Sequence, residues 1–324
     1  MSARRRVVVL VALATAAAVG LTLAVTLLTS GRETADTAVN TKARPGAPPL
    51  LLDLGVRTDP EARALRRASA LYAQRRRRAA GLIFSRYRSL PAEVGSALAA
   101  WPDGSERMRA LARDHPGSSL VQLHEGLALY WQGRLSDARA AWRKAKALDP
   151  DSSYAIRAGD FLHPELPIPG LPFYAPSFGS PPGLSRLSPP QQLVFLAERA
   201  RGRSARAKLL YGTALQRLDR PVSAERQFQA AARLTPQDAD ARVAAAVGLF
   251  DKDAPQRAFA QLGPLTHTFP RAPTVRFHLG LLLLWLGRVN EAERQLRLAV
   301  HEAPGSRLGR EAKRLLARLE SVKS

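Results

Sequence analysis

The sequence predicts an all-α fold, an array of stacked helical hairpins with an N-terminal transmembrane helix, and three observations predict it. Pro236, Pro270 and Pro304 stand 34 residues apart. Twelve positions before each lies an alanine, Ala224, Ala258 and Ala292, and the same pair occurs earlier as Ala138 and Pro150. Residues 7–28 form an uncharged, mostly apolar run of 22 residues. A fixed period of this length marks units that bury their apolar faces against one another. As a helix the apolar run is about 33 Å long, enough to cross a bilayer.

Clear repeats cover residues 119–152, 205–238, 239–272 and 273–306. Phase 8 reads Gly126, Gly212, Ala246 and Gly280, and phase 20 is alanine in all four. Phase 24 is bulky: Trp142, Phe228, Leu262 and Leu296. Small residues at phases 8 and 20 let the two helices of a hairpin approach closely, while bulk at phase 24 fills the space to the neighbour. Proline at phase 32 cannot continue a helix and ends the second one. In these positions the chain resembles the tetratricopeptide repeat (TPR) family, whose pattern has Leu-Gly at phases 7 and 8, Ala at 20, an aromatic at 24 and Pro at 32. Leu279-Gly280 matches that pattern, while Glu125 and Tyr211 at phase 7 depart from it.

From N- to C-terminus, residues 1–6 are expected as a cytoplasmic tail, 7–28 as the transmembrane helix, 29–58 as a flexible linker and 59–324 as the TPR-like α-solenoid. The linker is polar and then proline-rich, with Pro45, Pro48 and Pro49. Asp59-Pro60-Glu61 starts a helix, and residues 59–87 read as one long helix interrupted at Gly81. A weaker repeat precedes residue 119, with Pro116 at phase 32. Residues 152–162 and 189–201 read as the two helices of one repeat, separated by an inserted loop at about 163–188 that is rich in Pro, Gly and aromatics. Residues 307–322 place Leu308, Leu315, Leu316 and Leu319 on one face, as a polar-backed capping helix would.

Arg4, Arg5 and Arg6 precede the apolar run and place the N-terminus in the cytoplasm. The expected location is a bacterial cell membrane, single-pass, with the C-terminal domain extracytoplasmic. A cleavable signal peptide is the competing reading, with Thr29-Ser30-Gly31 as its site, but its core would be unusually long. No cysteine occurs, which excludes disulfides, thiolate metal sites and a lipid-modified cysteine. The net charge of +22 is uneven: residues 59–89 carry nine Arg against two acids. Arg75, Arg76, Arg77 and Arg78 form a patch for an anionic partner, either envelope polymer or lipid headgroups. Nucleic acid is not an expected partner on this topology.

Catalytic patterns are missing from the sequence. The six histidines never pair at four-residue spacing, and no nucleophile elbow or phosphate-cradling loop occurs. Asp149-Pro-Asp151 and Asp238-Ala-Asp240 flank helix ends, where aspartate caps free N–H groups. No enzyme activity, cofactor or metal is expected. The family resemblance implies instead a concave groove lined by phases 2, 5, 9, 12 and 13 of each first helix. Carried over, its lining is Leu123, Leu127, Tyr130, Trp131, Leu209, Thr213, Val243, Phe250, Phe277, Leu281 and Trp285. Gln216, Arg206, Asp240 and Thr274 fall on the same phases. The carboxylate clamp of some family members, Lys and Asn at phases 5 and 9, is not present, so the groove suits an apolar segment. The expected function is a membrane-anchored extracytoplasmic scaffold that binds proteins or peptide segments. The alternative is a cell-envelope accessory protein that holds anionic polymer or headgroups on its Arg-rich segment. Phe173, Tyr174 and Phe178 in the inserted loop serve either as contact anchors or as a plug for the groove.

Overall fold

Small residues at phases 8 and 20 bring the two helices of each hairpin into contact. The computed structural model describes residues 43–323, which are helical and irregular with no strand. They fall into two compact units divided between Leu162 and His163. The first unit holds α1 (Pro60–Ala73), α2 (Arg77–Phe84), α3 (Leu90–Ala99), α4 (Ser105–Asp114), α5 (Ser119–Trp131), α6 (Leu135–Leu148) and α7 (Ser153–Leu162). The second holds α8 (Pro189–Arg201), α9 (Ala205–Arg217), α10 (Pro221–Leu234), α11 (Ala239–Gly248), α12 (Gln256–Leu262), α13 (Leu265–Thr268), α14 (Pro273–Trp285), α15 (Val289–Glu302) and α16 (Arg307–Lys323). Within each unit, successive helices pack on one another.

A Cβ placed on Gly126 would lie 2.4 Å from the Trp142 ring and 3.1 Å from the Ala138 carbonyl. One on Gly212 would lie 2.4 Å from Phe228, and one on Gly280 2.9 Å from Leu296. Phase 24 therefore fills the bare spot left by phase 8 of its own hairpin, and it meets the neighbour as well: Trp142 stacks on Phe161 of α7, and Phe228 lies against Gly248 of α11. Ala138, Ala224, Ala258 and Ala292 at phase 20 are buried, as that close approach demands.

The helix ends are equally periodic. Ser118, Ser204 and Asp238 each accept the N–H of the third residue onward, the N-cap bond that begins α5, α9 and α11. At phase 15, Gly133, Asp219 and Gly287 take left-handed backbone. There the next two N–H groups fold back onto the helix, as for Gly133 to Tyr130 (3.1 Å) and Arg134 to Leu129 (2.9 Å).

Arg75 does the same, with φ 64°, and its N–H and that of Arg76 return to Tyr72 and Leu71. The expected single helix over residues 59–87 therefore breaks at Arg75, and Gly81 stays inside α2. Counted from Arg75 as phase 15, Ala68, Ala80 and Phe84 fall on phases 8, 20 and 24, and all are fully buried. So α1 and α2 form a further hairpin. The repeat at 239–272 departs in its second helix, which Gly263-Pro264 splits into α12 and α13; Pro264 has no N–H to continue it.

α7 ends the first unit, while residues 163–188 and α8 belong to the second. At the end of the second unit, α16 packs on α15 and buries Leu308, Ala312, Leu315 and Leu319. Among the described residues no helix is long and apolar enough to cross a membrane. The expected tail, the membrane span at 7–28 and the linker up to residue 42 lie outside the described residues.

Gly126→Ala should lower stability by about 1–3 kcal/mol, because the added methyl collides with Trp142. Gly159→Ala, in α7 with nothing within 4 Å of the new methyl, should be neutral or stabilising. Thermal unfolding of the two variants checks this, and equal midpoints would mean that the packing at phase 8 is not what limits the hairpin.

Candidate functional site

The first helices α5 and α14 are apolar on nearly every side, so their outer faces need cover. In the first unit that cover is residues 44–54, an extended stretch whose prolines lack N–H groups and so leave fewer donors to satisfy. The Arg44 N–H donates to the Trp131 carbonyl (2.8 Å), and the Arg44 guanidinium lies 3.9 Å over the Tyr130 ring and bonds its hydroxyl. Pro48 is buried and its carbonyl accepts the Tyr72 hydroxyl. Further on, the Leu51 N–H donates to His124 Nε2 (3.0 Å) and the Asp53 N–H to the Tyr154 hydroxyl (3.1 Å). Leu51 packs with the cluster of Leu123, Leu127 and Trp142, and Leu50 and Leu52 with that of α1 to α5. Residues 43–58, expected as part of a flexible linker, are thus pinned along the hairpins. Proline-rich composition signalled extended chain, and the apolar Leu50–Leu52 run supplied the side chains that bind it down.

In the second unit the inserted loop does the same work. Lys252 Nζ donates to the Ile168 carbonyl (3.0 Å) and Trp285 Nε1 to that of Gly170 (3.2 Å). The Tyr174 N–H donates to Gln216 Oε1 (2.9 Å), and the Ala175 N–H to His278 Nε2 (2.9 Å). Ser177 bonds the Asp240 carboxylate, and Arg307 and Arg206 donate to the carbonyls of Phe178 and Gly179. Tyr174 is fully buried, stacked on His278 and edge-on to Phe228. Tyr174 is therefore a plug, while Phe173 and Phe178 are partly buried against the same core.

His124 and His278 both stand at phase 6 of their repeats and make the same two bonds. Each Nδ1 faces a carbonyl four residues earlier, Leu120 at 2.7 Å and Thr274 at 2.6 Å. A carbonyl only accepts, so the proton sits on Nδ1 and Nε2 is left to accept a main-chain N–H from the extended segment. Burial is the main cause that lowers both rings from 6.5 to about 4; the carbonyl bonds oppose it, and at His278 Asp240 does too. Searching histidines for metal-ligand spacing missed this role, although their shared phase was visible.

Of the predicted lining, Leu123, Leu127, Leu209, Val243, Phe250, Phe277, Leu281 and Trp285 are buried, and Tyr130 and Trp131 are half-buried. Thr213 bonds its own helix at Leu209. The apolar faces that were expected to line a groove are thus covered by the chain itself. Arg206, Gln216, Asp240 and Trp285, on the groove phases, hold the inserted loop. Asp238 caps α11 as expected, whereas at residues 149–151 Ser152 supplies the cap to Ala155. Among the described residues no group of three His, Asp or Glu is placed to hold a metal. Arg75, Arg76 and Arg78 are exposed, and Arg77 turns in to donate to the Trp101 carbonyl (2.6 Å).

No protein-family model matches the chain. No curated protein matches it either. Solved structures that it resembles include YrrB, described as a TPR protein with an unusual peptide-binding site, at 18% identity over 65% of this chain and 99% of that one, TM-score 0.32. Yeast Tom70 is similar at 12% identity over 86% of this chain and 53% of that one, TM-score 0.37. The TPR2AB domain of yeast Sti1, solved in complex with pHSP90, is similar at 13% identity over 80% of this chain and 98% of that one, TM-score 0.30. By period, caps and packing, the described residues of each unit fold as all-α, TPR-like hairpins.

Folding lowers both histidines from 6.5 to about 4, so between those values the unfolded chain binds more protons. Their stabilisation is complete above 6.5 and is lost as pH falls through 4, at most roughly 3 kcal/mol each. Glutamine offers an acceptor that does not titrate. In urea unfolding across that range, the His124→Gln/His278→Gln double variant should lose this part of the decline. A decline as steep as in the wild type would contradict the assignment.

Proposed function

We propose that this protein is a non-catalytic scaffold, held at a membrane by residues 7–28 with its helical part outside the cytoplasm, whose hairpin faces bind extended polypeptide. One observation carries the reading: two hairpins place a buried histidine at the same phase, and each accepts a main-chain N–H from an extended segment. A face that reads main chain in this way tolerates many sequences, and the apolar pockets beside it select for leucine and proline. In the resting protein these faces hold residues 44–54 and the inserted loop. A partner therefore competes with a tethered segment whose effective concentration is on the order of millimolar. If the face is free one part in a hundred, apparent affinity drops about a hundredfold.

Release of the first segment tests this. Leu51→Pro removes the N–H given to His124, and Leu54→Asp places a charge where a buried leucine stood. The full-length double variant should keep its helicity by circular dichroism. It should bind a labelled peptide of residues 44–56 at least about tenfold more tightly than the wild type does. A folded double variant that binds no better than the wild type would contradict the proposal.

A further inference from the structure

Between Glu61 and Glu93 the chain has nine arginines and no acid. Elsewhere several exposed arginines pair with an acid three residues away, as Arg109 with Glu106, Arg134 with Asp137, Arg288 with Glu291 and Arg314 with Glu311. Among the described residues Arg67, Arg75, Arg76, Arg78, Arg86 and Arg88 have no such partner. On α2, Arg78 and Leu82 stand four residues apart and so share one side, Arg86 follows just past the end of the helix, and all three are exposed. Leu82 is 68% exposed, more than any other large hydrophobic side chain among the described residues. Arg75 adds a second observation. It holds the left-handed position that Gly133 and Gly287 hold in other hairpins, where a side chain costs conformational energy.

We propose that this face of the first hairpin is a docking surface for an anionic lipid bilayer. Guanidinium groups pair bidentately with phosphate. A leucine between them fits an interface whose charged layer overlies an apolar one, whereas a soluble anionic polymer would leave Leu82 in water. Tether length supports the same occupant and rests on the reading of residues 7–28 as an anchor. Fourteen residues separate that run from residue 43, a reach of at most about 50 Å. Attraction to such a surface fades within a Debye length of about 8–10 Å, so a short tether favours contact.

The absence of cysteine makes a single probe site clean. Full-length Leu82→Cys, labelled with an environment-sensitive nitrobenzoxadiazole dye, is reconstituted in phosphatidylcholine vesicles with or without about 30 mol% phosphatidylglycerol. Emission should rise at least about twofold with the anionic lipid and fall back in about 0.5 M salt. The rise should vanish when Arg75, Arg76 and Arg78 are all changed to Gln. A dye at Val194→Cys, also well exposed but outside the arginine run, should not respond. Equal emission in both vesicles, or a rise that survives the triple change, would overturn the proposal. So would an equal rise with soluble polyphosphate and no vesicles, which would assign the face to anionic polymer. Flotation of the same vesicles in high salt reads the anchor separately. Protein left behind there refutes the anchor, while the dye response to added anionic vesicles still decides the docking face.

Discussion

An apolar helix face cannot stay bare in water, and the hairpins of this chain create such faces twice. Gly126 against Trp142, and Gly280 against Leu296, draw each hairpin tight on its inner side. The first helices are left with leucines, phenylalanine and tryptophan on the opposite side as well. Covering that side with another helix would require another repeat. An extended segment covers it with fewer residues but brings main-chain N–H groups into a buried place, and each unmet donor there is costly. His124 and His278 meet that need with a ring whose second nitrogen is already committed to its own helix. The tertiary structure of residues 44–54 and of the inserted loop depends on these acceptors.

Much of the hairpin architecture was legible because it repeats. Proline at phase 32, alanine at phase 20 and the small residue at phase 8 act through contacts inside one hairpin, so they recur with it. The first hairpin escaped notice because it lacks the phase-32 proline and uses Arg75 where Gly133, Asp219 and Gly287 stand in other hairpins. Its small and bulky positions, Ala68, Ala80 and Phe84, were nonetheless in register. Segments that cover the faces follow no period. Residues 44–54 read as linker by composition, since proline-rich chain looks the same in solution and in a groove. Their placement depends on side chains such as Tyr72, His124 and Tyr154 that lie far away in sequence.

The groove lining was legible by phase but its openness was not. Gln216, Asp240 and Trp285 were placed on the concave side by position alone, and they bind chain there. That the bound chain is the protein's own follows from the insertion and from the stretch before α1, whose lengths and residues happen to fit. Function then turns on exchange: a covered face becomes a binding face only as often as its cover leaves. Tyr130 and Trp131 stay half-buried beside Arg44, at the end of the first segment where such release would begin most readily.

Amide hydrogen exchange of the full-length protein at Leu51 and Ala175 is the most direct test that buried histidines hold these segments. Both N–H groups should exchange at least about a hundredfold more slowly than in an unstructured chain, at rates nearer those of the helices they touch. Exchange at Leu51 and Ala175 as fast as in a free peptide would contradict the bonds to His124 and His278 and leave both segments as loose chain.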